Sequence, residues 1–183
     1  MPLLTLEDAK AQLNIVGTGH DAELTAYVDA LTEVIEGYVG PVEQRTVTEQ
    51  IDGRGPTLSL LKAPAISLTS FTPVLAGGTA LDVTQLHLDG ATGEVRRVDG
   101  TYFAGGPWKV VYEAGRSSVP STINVAARIL LQHLWRTQFG AARGNAGGGE
   151  DFDVNEPIPG WGYAVPNRVL QLLEPFKTGP GVA

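Results

Sequence analysis

Between Val119 and Phe139 polar residues recur at every fourth position, Asn124, Arg128, Gln132 and Arg136, while Ile123, Ala126, Ala127, Ile129, Leu130, Leu131, Leu134 and Trp135 cover most of the remaining circumference. Read at helical period, so narrow a polar stripe predicts a long helix with neighbours on several sides. Pro120 is preset for a first helical turn, Ser121 and Thr122 can take up free amides there, and Gly140 stops the run. Two shorter helical patterns come first. Thr5 followed by Asp8 reads as a capping pair ahead of Leu6, Ala9 and Leu13, and Gly17-Thr18-Gly19 breaks that run. From Asp21, the residues Leu24, Tyr27, Val28, Leu31, Val34, Ile35 and Tyr38 fall at spacings of three and four, with Asp29, Glu33 and Glu36 expected outward, until Gly40-Pro41. Together these predict a helical hairpin for the long helix to pack on.

Between Gln44 and Gly115 the period changes to alternation, with many Thr and Val residues and regular turn signals, which predicts short antiparallel strands. Val47 to Ile51, Thr57 to Leu61 and Ile66 to Leu75 read as three of them. Leu86, Leu88, Val95 and Val98 flank Asp89-Gly90-Ala91-Thr92-Gly93 as a hairpin, and Trp108, Val110 and Tyr112 share one face of a last strand. Beyond the long helix come a Gly-rich stretch from Gly140 to Gly149, expected to be a mobile loop, and then a short helix over Asn167 to Phe176 carrying Val169, Leu170, Leu172 and Leu173. The fold class expected is α+β: a small helical bundle made by the helical hairpin of 1–43 together with the long central helix, Gly-rich loop, short C-terminal helix and tail of 116–183, interrupted by an antiparallel β module at 44–115.

Charge narrows the partners. The net charge of −7 argues against holding DNA by phosphate neutralisation, which needs clustered Lys and Arg. With no Cys among 183 residues there is no disulfide framework and no thiolate nucleophile. The first residues lack a basic segment followed by an apolar one, and no run of about 18 apolar residues occurs, so neither a secretion signal nor a membrane span is expected.

Little in the chain reads as catalytic. His20, His87 and His133 include only one near neighbour of metal-ligand type, Glu23 beside His20, and a metal site needs three convergent ligands. Asp151, Asp153 and Asn155 copy the start of a calcium loop, but Glu156 stands where that loop turns on Gly and Gly162 replaces its last acid. No dinucleotide fingerprint, phosphate loop or nucleophile elbow is present, so no catalytic, cofactor or metal site is expected.

In sequence order, Thr5-Leu-Glu-Asp-Ala-Lys-Ala-Gln-Leu-Asn14, the helix of Asp21 to Gly40 ending Ile-Glu-Gly-Tyr-Val-Gly, Val110-Val-Tyr-Glu-Ala-Gly115 leading into the long helix, and Tyr163 to Phe176 resemble head-tail connector proteins of tailed bacteriophages, in the version with a β insertion. The Gly-rich acidic loop from Ala141 to Pro159 departs from that pattern. The resemblance implies an adaptor ring of about twelve subunits, between the portal and a stopper or tail-completion protein, with a central channel for double-stranded DNA and no membrane role. Under this reading Asn167, Arg168, Leu172, Phe176 and Lys177 contact the portal. Glu150, Asp151 and Asp153 face the channel or a neighbouring ring, and Arg128, Gln132 and Arg136 lie between subunits. A rival expectation is a monomeric β-type binding module with helical support and a pocket around Trp108 and Tyr112. A small hydrolase would require a rigid acidic pair, which the chain does not offer.

Overall fold

A computed structural model describes residues 2–139 and 165–177. In it Thr5 and Asp8 close a reciprocal cap: the Asp8 amide donates to Thr5 Oγ1 at 3.1 Å and the Thr5 amide to Asp8 Oδ2 at 3.2 Å. Two amides at the start of α1 (Leu6–Leu13) are thereby satisfied, and Asn14 ends the helix in the left-handed region at φ 55°. Helix α2 (Asp21–Val39) follows. Its exit is organised by Glu36, whose Oε1 accepts the amides of Val42 and Glu43 while Oε2 takes Arg45 Nη1 at 2.8 Å. Glu36 is therefore half-buried, not turned outward as its spacing predicted, because it replaces the carbonyl acceptors that the chain loses on leaving the helix.

Six strands follow: β1 (Arg45–Ile51), β2 (Thr57–Ser59), β3 (Ala65–Pro73), β4 (Leu86–Asp89), β5 (Glu94–Arg97) and β6 (Trp108–Ala114). They pair antiparallel into two three-stranded sheets, β1-β6-β3 and β2-β5-β4. Along β6 the buried residues Trp108, Val110, Tyr112 and Ala114 alternate with Lys109, Val111 and Glu113. With Ile51, Leu58, Leu60, Phe71, Val95 and Phe103 they form one core, in which the rings of Phe71 and Phe103 stack at 5.7 Å. The β4–β5 hairpin turns where expected, with Gly93 at φ 76° and its amide bonded to the Asp89 carbonyl at 2.8 Å. Val98 lies outside β5 and is exposed, and β3 stops two residues short of Leu75.

Helix α3 is Ser121–Phe139, so Pro120 stands just ahead of the helix and not in its first turn. Helix α4 (Asn167–Leu173) runs on into a 3-10 turn, Glu174–Phe176. The helices and the β insertion give the α+β class expected from the change of period.

The chain divides into two compact units. One is built on Glu33–Pro120, joined by Leu3 and Phe176, and holds the strands. The other joins Leu4–Thr32 to the described part of Ser121–Pro175. In this second unit α3 packs on both α1 and α4, and its buried residues are Leu4, Ala9, Leu24, Leu31, Ile123, Ala126, Ala127, Leu130, Leu131, Val169 and Leu173.

Candidate assembly surfaces

Each step of four residues advances a row by about 40° around a helix, so the polar series on α3 does not stay on one side. Its first half turns toward α1. Arg128 Nε donates to Asn124 Oδ1 at 2.9 Å and its Nη2 to Asp8 Oδ1 at 2.7 Å, so this guanidinium is engaged within the subunit. The second half turns out: Gln132 is half-buried and Arg136 is exposed. Beside them are Val125, 47% exposed, and half-buried Ile129. The outward face of α3 therefore mixes aliphatic residues with one cation. At the other side Trp135 meets Tyr27 and His20 edge-on, at 6.0 and 5.4 Å between ring centroids.

The C-terminal residues divide by chemistry. Val169 and Leu173 are buried in the helical unit, Leu172 is half-buried, and Asn167, Arg168 and Lys177 are exposed. Phe176 lies under the guanidinium of Arg116, 5.7 Å from ring centroid to Cζ, a cation–π contact. Arg116 also donates from Nη2 to the Val39 carbonyl at 2.8 Å and from its amide to the Val42 carbonyl at 3.3 Å. Burial pulls its pKa downward, and its Nε has no hydrogen-bond acceptor among the described residues. Sequence reading missed Arg116, since a single Arg after a strand carries no local signal. Glu150, Asp151 and Asp153, together with the calcium-like Asn155, fall outside the described residues.

The β unit takes up the aromatic residues that could have lined a pocket. Trp108 and Tyr112 are buried in its core, and the Tyr112 hydroxyl accepts the Lys62 amide at 3.1 Å. Burial and the neighbouring Glu49 carboxylate push the Tyr112 phenol above its ordinary pKa, so it stays neutral. Among the described residues no three His, Asp or Glu side chains come together as metal ligands, and no helix is long and apolar enough to cross a membrane.

Both units are matched by a single family model, over residues 2–178, described as head completion protein. The chain belongs to the head completion protein family. Among solved structures it is similar to a chain in the neck of an empty gene transfer agent particle computed with C6 symmetry, at 20% identity and a TM-score of 0.67, covering 98% of this chain and 92% of that one. A chain from the neck of the native particle, computed with C12 symmetry, aligns at 21% identity and a TM-score of 0.60, over 88% and 85% of the two chains. A third, from the virion of the native particle, gives 18% identity and a TM-score of 0.62 over 98% and 92%. These likenesses are of fold. No curated protein matches the chain.

Proposed function

We propose that this chain is a structural neck protein, a ring-forming adaptor set between the portal and the stopper or tail of a tailed phage or phage-like particle, through whose centre double-stranded DNA passes. The observation that carries the reading is that one head completion model spans both units, the β insertion included. The shared fold of neck chains from particles analysed with C6 and C12 symmetry supports a ring of about twelve copies. The net charge of −7 suits a channel that lets DNA slide without gripping it.

In this reading Asn167, Arg168, Leu172, Phe176 and Lys177 form the portal contact. Arg116 is a positioning residue for it, since its ring contact fixes the point at which the C-terminal segment leaves the fold. Glu150, Asp151 and Asp153 are assigned to the channel or to the next ring on charge alone. The rival binding-module reading loses its pocket to the packing of Trp108 and Tyr112 in the core.

Complementation tests the function. Particles assembled without the protein are expected to package DNA, lose it and carry no tails, and purified protein added to them should restore tail joining. Tailed, infectious or transducing particles formed in its absence would overturn the reading.

A further inference from the structure

Helix α2 contains no Lys or Arg and five acids, Asp21, Glu23, Asp29, Glu33 and Glu36. Three of these are engaged, Asp21 with Lys10, Glu23 with His20 and Glu36 with Arg45. Asp29 and Glu33 are exposed and have no cation partner among the described residues. Val34, next to Glu33, and Tyr38, one turn further on, are 37% and 38% exposed although the helical pattern expected both inside. At about 100° per residue Glu33 and Val34 flank one outward face of α2, with Ala30 between them. Helix α3 offers the converse: exposed Val125, half-buried Ile129, and Arg136, which has no acid partner among the described residues.

We propose that these two faces meet between neighbouring copies of the chain, α2 of one subunit receiving α3 of the next. Val125 and Ile129 pack on Val34 and Tyr38, and Arg136 reaches Glu33 of the adjacent copy. The inference rests on the ring reading and specifies its subunit interface. A ring needs a head-to-tail contact between two different faces of the subunit, and each face here leaves unmet what the other supplies. A polyanion on α2 would meet two uncompensated acids, and a cationic partner there would leave Arg136 unused. A second copy satisfies both faces. Arg128 takes no part, being held by Asp8.

The chain has no Cys, so introduced thiols are the only ones. Glu33→Cys combined with Arg136→Cys, assembled into rings and treated with a short bismaleimide, should give a ladder of covalent multimers on a denaturing gel, while each single variant stays monomeric. Intact rings of the double variant that run only as monomers after treatment overturn the interface. Should the double Cys variant form no ring, charge reversal decides: Arg136→Glu alone should abolish the ring and Arg136→Glu with Glu33→Arg should restore it. Failure of that restoration also overturns the interface. The unmodified chain is run in parallel with portal present. A ring there with no cross-link in the variant sinks the interface alone, whereas no ring from the unmodified chain sinks the ring reading and this inference with it.

Discussion

Arg128 holds α1 to α3 by gripping a carboxylate 120 residues away, and that carboxylate is already at work capping α1. Asp8 sits below the ordinary carboxylate range, first because Thr5 donates to it from hydroxyl and amide, and then because Arg128 faces it. Its folded pKa is lowered, so its contribution is complete above the unfolded value of about 3.9 and is lost as pH falls through the folded value. Asp8→Asn is accordingly expected to lower the melting temperature at neutral pH, and the gap should close below about pH 4. Arg128→Ala removes a pair whose side chains are 34% and 38% exposed, so a loss of about 1 kcal/mol or less is expected in chemical denaturation. Gly115 is a sharper case. Its φ is +114°, and a Cβ there would lie 2.4 Å from the Glu43 carbonyl oxygen, so Gly115→Ala is expected to cost about 2 kcal/mol or more. The cap of Thr5 and Asp8 was legible in the sequence because it is local. The grip of Arg128 was not, since its spacing on α3 records the row of polar residues and nothing of the helix opposite.

At the scale of elements, the proposed interface makes α3 the helix on which folding and assembly can be tested apart. Leu130 is buried at 2% exposure, so Leu130→Ala should cost about 2–5 kcal/mol in equilibrium unfolding. Arg136→Glu should leave the melting temperature unchanged and act on assembly alone, because its side chain is exposed. The apolar pattern located the helices and strands well, but gave neither the order β1-β6-β3 nor the split into two sheets. Alternation tells which residues share a face and says nothing about which strand lies beside which. The same limit explains Val34 and Tyr38. At helical spacing they belong to the apolar side of α2 with Leu24 and Leu31, yet they stand at its margin, where exposure is decided by what packs alongside.

For the whole molecule, the C-terminal segment is the part whose loss should be felt only in company. Phe176 is held by Arg116, whereas Lys177 beyond it is proposed as a portal contact on its sequence alone. Deleting residues 177–183 should leave the melting temperature within a degree or two and prevent attachment to portal-bearing heads, scored by co-sedimentation; attachment at the unmodified level would place the portal contact elsewhere. The acidic residues 150, 151 and 153 illustrate what composition can and cannot say: it gives their charge, while the surface they face follows from assembly. The ring is the claim on which the other readings depend. Native mass spectrometry of the full chain mixed with purified portal tests it most directly. A single dominant complex carrying about twelve copies of the chain per portal ring is the result expected, and a chain that stays monomeric with portal present at every concentration would contradict it.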